Sequence, residues 1–337
     1  VPKQDEGSRG VIIADPCFQS QWINCAYKDE FDTFNRTTAL LNALSKHDDT
    51  HYWMVLGDNF YDQTGDASET WFSALSMDTK SKIMGSVPGN HDYWVHGDPQ
   101  VYVQEDQLGN GFMQFYGQDV AASAANTDPA ASAPYDFSMD PDAADTSAEN
   151  LPIADNYFYY NQVGNVGFVG YSGAHKYADM EARFEEACAW ASSLPEGKGI
   201  DTLLLLGHWN EDGDGCDEDM TVPSVYKAIA QMPACQPVAA KMKYILGHKH
   251  CNLIVEEQLG FMVGGMGMSD YQCGGTFGIP VVDTVDGQFK LYYFPVQGAI
   301  PAEKVDNYDE VLGCIKENGV SGCYHLATEW TSTAVIA

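Results

Sequence analysis

The chain has 337 residues, 45% of them hydrophobic, enough to bury one large α/β core or two modest ones. Lys and Arg number 17 against 48 Asp and Glu, a formal charge of -31 that disfavours nucleic acid and anionic membranes as partners. No apolar run approaches the ~20 residues a membrane-spanning helix requires.

The chain opens Val1-Pro2-Lys3-Gln4, with neither a Met nor an apolar targeting segment, as a processed or trimmed chain would. Gly10 to Asp15 reads as a first strand, β-branched and unalternated, and Pro16 ends it. Leu40, Leu41 and Leu44 give Thr38 to Leu44 helical spacing, and a strand follows from His51 to Leu56. Strand, helix and strand of this length form a βαβ unit, so the strands should be parallel neighbours or near neighbours. A helix from about Ser68 carries Trp71, Phe72 and Leu75 on one face, and Ile83 to Val87 is a short third strand.

Between residues 109 and 155 the pattern fails. Ala121 to Ala148 is a low-complexity run of Ala, Ser, Asp and Pro, and no Lys or Arg occurs between Lys82 and Lys176. This reads as an acidic insertion over the surface: a lid, an arm for self-association or a surface partner, or a solvated loop. Structure resumes with a hairpin, Tyr157 to Tyr160 and Val166 to Tyr171 about a turn at Val163-Gly164-Asn165. Ala178 to Leu194 is an amphipathic helix with Met180, Phe184, Ala187 and Cys188 inward. The strand Leu203 to Leu206, a helix Ser224 to Met232 and the strand Lys243 to Leu246 come next. Leu253 to Val263 and Ile279 to Val296 complete a second sheet, turning at Val285-Asp286-Gly287. Residues 1–300 thus form the main domain, and 301–337 read as a C-terminal extension with one short helix.

Nine cysteines exceed the usual cytosolic complement and favour secretion or the cell surface. Nearness in sequence suggests Cys17–Cys25, Cys216–Cys235, Cys251–Cys273 and Cys314–Cys323, leaving Cys188 as a buried thiol. Asn35-Arg36-Thr37 is a glycosylation sequon, or an unmodified turn before the first helix.

Several apolar strands share one ending. They run out at Asp15, Gly57-Asp58, Gly89-Asn90-His91-Asp92, Gly207-His208 and Gly247-His248-Lys249-His250. A metal pair needs hard or borderline ligands converging from separate strands, with an anion between the ions to damp their repulsion. Asp15, Asp58, Asn90, His208, His248 and His250 offer two carboxylates, an amide oxygen and three imidazoles. Glycine before Asp58, Asn90, His208 and His248 allows a tight turn that aims the ligand inward.

Together with Gly57-Asp58-Asn59-Phe60-Tyr61, these blocks resemble the calcineurin-like metallophosphoesterase superfamily, most closely its low-molecular-weight, tartrate-resistant purple acid phosphatases. The resemblance covers residues 9 to 296. It implies an α/β fold, a four-layer α/β/β/α sandwich of two mixed sheets flanked by helices. It also implies an acid phosphatase acting on small phosphate monoesters, with hydroxide activated by a dinuclear centre of Fe(III) and divalent iron, zinc or manganese. Carried over by motif, Asp15, Tyr61 and His250 hold the first metal, Asn90, His208 and His248 the second, and Asp58 bridges. Tyr61 is the discriminating residue, because a hard phenolate favours a trivalent ion. His91 is the catalytic candidate, bonding a phosphoryl oxygen or assisting the leaving group.

Two departures stand out. Asp15 is followed by Pro16-Cys17-Phe18 where these enzymes carry glycine, and His208 is followed by Trp209 to Asp219 with no second histidine. In that acidic loop Asp212, Asp214 and Asp217 have the alternate spacing of calcium ligands, against the plainer reading of a solvated loop. Lys249 and His96 are further candidates for substrate contact. These departures leave two rivals open: a catalytically weak protein of the same fold with an extracellular assembly role, and a phosphodiesterase or nucleotidase of the superfamily.

Overall fold

Apolar strands without alternation need cover on both faces, and that requirement organises the molecule. A computed structural model of the chain describes residues 1–18, 25, 27–59, 61, 65–92, 158–174, 176–211, 221–267, 276–298 and 306–332. The insertion at 109–155, His96, Asp212, Asp214 and Asp217 lie outside the described residues.

In the first sheet β1 (Arg9–Ile13), β2 (Tyr52–Leu56) and β3 (Ile83–Val87) run parallel. On its other side β1 pairs antiparallel with β10 (Thr276–Asp283), which continues into β11 (Lys290–Gly298) and β12 (Thr328–Glu329), so Ile279 to Val296 complete this first sheet and not, as expected, the second. The second sheet has the order β4 (Phe158–Val163), β5 (Val166–Tyr171), β6 (Thr202–Leu206), β7 (Met242–Leu246), β9 (Gly260–Val263), β8 (Asn252–Glu256). Here β5, β6, β7 and β9 are parallel, and β4 and β8 close the edges antiparallel.

Successive residues of each central strand feed different cores. Ile12, Met54 and Leu56 meet Phe168, Leu204, Leu206 and Ile245 between the sheets. Val11, Ile13, Trp53 and Val55 point the other way, into a core with residues of α1 (Thr33–Lys46), α2 (Asp66–Ala74) and α6 (Tyr308–Asn318). Leu203 and Leu205 face α4 (Tyr177–Ser193) and α5 (Val222–Ile229). Two mixed sheets flanked by helices result, the α/β/β/α sandwich expected. A short helix, α3 (Met77–Lys80), is additional; Ser76 caps it by accepting from the Thr79 N–H at 3.2 Å.

Helix α1 begins at Thr33, ahead of the expected Thr38. Its buried stripe is Thr33, Thr37, Leu40, Leu41 and Leu44, so two threonines belong to a face that leucine spacing alone under-reads. Asn35 therefore lies exposed within the first turn, its amide donating to Asp32 at 2.9 Å.

The segment read as a C-terminal extension contributes Val311, Leu312, Ile315, Val320 and Cys323 to the same core as Trp71, and β12 extends the first sheet.

The cysteine pairing needs correction. Cys17–Cys25 and Cys314–Cys323 form as expected, but Cys235 bonds Cys188, with Cα atoms 4.8 Å apart, and not Cys216. Cys188 is therefore no free thiol. Packing of α4 beside the segment after α5 brings together residues 47 apart, a nearness that sequence distance hides. Cys251 is also disulfide-bonded, while Cys273, its expected partner, lies outside the described residues.

His51 gives this frame a pH dependence. Its Nδ1 accepts from the Arg9 backbone N–H at 3.0 Å, and burial, then the N-terminus, Arg9 and Lys82, lower its pKa. The unfolded chain therefore takes up this proton first as pH falls. The contribution of His51 is complete above its ordinary pKa of about 6.5 and is lost progressively below it, as pH falls through the lowered pKa of the folded state. The gap in Tm between the wild type and His51→Ala should narrow from about pH 8 to about pH 5.5; a gap independent of pH would contradict this.

Candidate metal centre

Parallel strands present their C-terminal ends at one edge, and stacking two such sheets brings two edges together. Asp15, Asp58 and Asn90 follow β1, β2 and β3, while His208 and the pair His248 and His250 follow β6 and β7. The chain turns hard there. Gly57 has φ 86°, and Asp15, Asp58, Tyr61, His248 and His250 also take positive φ, between 49° and 73°. Side chains rarely adopt this region, at a cost on the order of 1–3 kcal/mol each, and its clustering is a mark of functional sites.

Of the four glycines expected to make tight turns, only Gly57 has positive φ. Gly89 and Gly247 are needed for close approach instead. A Cβ on Gly89 would lie 2.3 Å from Asp58 Oδ1, and one on Gly247 would lie 2.6 Å from Asp15 Oδ2.

The candidate residues converge as two groups. In one, Tyr61 Oη lies 2.8 Å from His250 Nε2 and 3.4 Å from Asp15 Oδ1. In the other, His208 Nε2 is 3.2 Å from Asn90 Oδ1 and 3.3 Å from His248 Nδ1, and His248 Nδ1 is 3.2 Å from Asn90 Oδ1. Asp58 belongs to both: its Oδ1 is 3.4 Å from His208 Nε2, and it offers a ligand atom within 4.8 Å of those of Asp15 and His250. Two bonds tie the sheets together here. His208 Nδ1 donates to the Leu56 carbonyl at 2.9 Å, and the His248 N–H donates to Asp15 Oδ2 at 3.0 Å.

Electrostatics separates these groups. Burial raises the Asp58 pKa, but His208 and His91 outweigh it and hold the carboxylate below its usual range. Burial, reinforced by Asp58, pushes Asp15 well up despite His208. For Tyr61 burial and then Asp58 and Asp15 raise the phenol well above its ordinary value. Burial lowers His208, yet Asp58 and Asp15 overcome it and bring its pKa to about 9. His248 goes the other way, to about 3, through burial and the neighbouring His208.

A cation fits this donor set. Because His208 Nδ1–H is spent on Leu56, the neutral ring directs its Nε2 lone pair at Asp58 and Asn90 oxygens. Lone pairs facing one another in a buried site are stable only around a positive charge. A proton on His208 serves that purpose in the bare protein, and a metal ion would replace it. The second-sphere bond from Nδ1 to a backbone carbonyl is the arrangement that orients a histidine ligand.

Motif reading passed over Asp92. It is fully buried, and its carboxylate accepts from the Asn59 N–H at 2.7 Å, the Asn59 amide at 2.8 Å and the Gly89 N–H at 2.6 Å. Asp92 thereby clasps the loop carrying Asp58 to the loop carrying Asn90. Its signal was a second carboxylate directly after Asn90-His91. Burial, with Asp58 close by, brings its pKa up to about 7.

His91 is partly exposed. Its backbone N–H donates to Asp58 Oδ1 at 2.9 Å and its ring centroid is 5.1 Å from that of Tyr61. Trp209, fully buried, packs edge-on against His208 with centroids 5.1 Å apart. Lys249 reaches away to Glu211, at 3.7 Å, joining the loops after β6 and β7.

Stacked mixed sheets that gather carboxylates, imidazoles and a phenol at one strand edge define an α/β protein with a candidate metal site. Residues 9–252 match the family model Metallophos, calcineurin-like phosphoesterase, and the chain belongs to that family. Among solved structures it is similar to a single mutant of Vps29 from Entamoeba histolytica, at 10% identity and TM-score 0.35, covering 86% of this chain and 92% of that one. It is also similar to a putative 5'-nucleotidase from Staphylococcus aureus in complex with alpha-ketoglutarate, at 15% identity and TM-score 0.41. That likeness covers 92% of this chain but only 58% of the nucleotidase, so the chain spans little more than half its length. Neither likeness bears on activity. No curated protein matches the chain. Among the described residues no helix is long and apolar enough to cross a membrane.

Proposed function

We propose that the chain is a phosphoric monoester hydrolase of purple acid phosphatase type, working with Fe(III) and a divalent iron, zinc or manganese ion. The observation that supports this most is the Tyr61 phenol, buried beside His250 and Asp15. With its pKa pushed well up, this phenol ionises only against a strong positive charge, and a hard phenolate favours a trivalent ion. In this reading Asp15, Tyr61 and His250 hold one ion, Asn90, His208 and His248 the other, and Asp58 serves both. Such a pair, when bound, supplies Lewis acidity toward a phosphoryl group and makes water nucleophilic at acidic pH.

The chain's own residues do the positioning. Leu56 fixes the His208 ring, and Asp92 with Asn59 fixes the spacing between the Asp58 and Asn90 loops. His91, held through its backbone by Asp58 and partly open to solvent, is the group free to bond a phosphoryl oxygen or protonate the leaving group. Because Trp209 follows His208, His91 is the histidine among the described residues that takes this duty. The described disulfides suit secretion or the cell surface.

Turnover of an aryl monoester, an alkyl monoester, a diester and a nucleotide, across acidic to neutral pH, tests the reading. Monoesters should be preferred at acidic pH, and His91→Ala should slow the alkyl ester, with its poor leaving group, more than the aryl ester, by about 100-fold. Preference for the diester, or equal losses on both monoesters, would overturn the assignment.

A further inference from the structure

The unusual loop after Asp15 is packed against the phenol. Cys17, Cys25 and Tyr61 form a small cluster of their own, separate from the three larger cores, with Cys17 fully buried and Cys25 5% exposed. Cys17 is only two residues beyond Asp15, and its N–H donates to the Met266 carbonyl at 2.8 Å. The Cys17–Cys25 bond therefore closes the Asp15 loop onto the Tyr61 ring whose hydroxyl meets His250 and Asp15. Tyr61 lies between β2, which ends at Leu56, and α2, which begins at Asp66, and belongs to neither. Neither does Tyr61 belong to the cores that fix the other aromatic rings.

We propose that the Cys17–Cys25 disulfide is a positioning element of the candidate metal centre, holding the Tyr61 phenol at the Asp15 and His250 half. This rests on the reading that those residues hold a metal ion. The Tyr61 hydroxyl meets His250, Asp15 and Asp58, so the cluster bears directly on the Asp15 and His250 half and reaches the other half only through Asp58. Loss of the disulfide thus acts chiefly on the ion at the Asp15 and His250 half. An effect of this kind is expected to reach the 10–100-fold range typical of groups that orient metal ligands.

The test is a zinc titration of the metal-free full chain against a chromophoric chelator, comparing the wild type with Cys17→Ala/Cys25→Ala. Cys314→Ala/Cys323→Ala is the control, because its disulfide spans 9 residues against 8 for Cys17–Cys25 and so should contribute similarly to stability through chain entropy. The first pair should weaken one zinc site by about 10–100-fold and leave the other within about twofold, while the control pair leaves both in place. In a Tyr61→Phe background the same pair should cost no further affinity, since the effect runs through the phenol hydroxyl. If the alanine pair does not fold, Cys17→Ser/Cys25→Ser preserves the volume and carries the same expectation. Two unchanged zinc sites, or an equal loss in the Tyr61→Phe background, would overturn the proposal. A wild type that binds fewer than two zinc ions would instead overturn the two-ion reading beneath it.

Discussion

Replacing Asp58 with alanine is expected to remove metal from both halves of the site at once, weakening affinity by more than about 100-fold and abolishing turnover with it. The scale follows from position. Groups that merely orient a ligand cost 10–100-fold when lost, and Asp58 is itself a member of both donor groups. Its carboxylate is buried and ionised, held there by His208 and His91. Removing that charge leaves the His208 imidazole and the Asp15 carboxyl without the anion between them. Asp92→Asn is the informative comparison. It keeps the shape of the clasp but turns an NH2 toward donors at Asn59 and Gly89, so it should fall within the 10–100-fold range and leave the fold in place. Metal titration of both variants reads the difference directly. Equal effects from Asp58 and Asp92 would mean that Asp58 only shapes the loop.

At the opposite end of β1, Arg9→Met should destabilise the whole chain by about 3–5 kcal/mol, the cost of leaving one partner of a buried ion pair alone. Arg9 Nε donates to Asp283 Oδ2 at 2.8 Å with both side chains 10% exposed, and its guanidinium also donates to the Asp49 carbonyl at 3.1 Å. Tyr324 completes the group, its hydroxyl donating to the same Asp283 oxygen. The cluster pins the C-terminal segment and the β1–β10 pairing to the α1–β2 connection. Arg9→Met/Asp283→Leu should recover part of the loss, because it removes the stranded charge along with its partner. Chemical denaturation of both variants tests this, and a loss under about 1 kcal/mol for Arg9→Met would contradict it. Metal content should not change, since Arg9 and Asp15 sit at opposite ends of one strand.

The sandwich was legible because its central strands are buried on both faces. Val11 to Ala14, Tyr52 to Leu56 and Leu203 to Leu206 read as continuous apolar runs, and such runs stop abruptly where polar site residues begin. Those stops marked Asp15, Asp58, Asn90, His208 and His248 as residues sharing one edge. What the pattern could not carry was partnership across the fold. Cys188 finds Cys235 only because α4 packs beside the end of α5. Val311, Leu312 and Ile315 lie in the one short helix read beyond residue 301, and the core partners they share with α1 are far away in sequence. Asp92 read as the flank of a motif because a carboxylate's hydrogen bonds to two other loops leave no trace in spacing. Backbone geometry was equally hidden: nothing in the letters separates Gly57, which turns, from Gly89, which makes room.

The central claim is that strand ends from both sheets build one site for two ions, one of them ferric. Elemental analysis of the purified chain tests it most directly. Two ions per chain, one of them iron, with the iron lost in Tyr61→Phe and both ions lost in Asp58→Ala, is the result expected. A chain that binds no metal, or whose iron is indifferent to Tyr61, would contradict it.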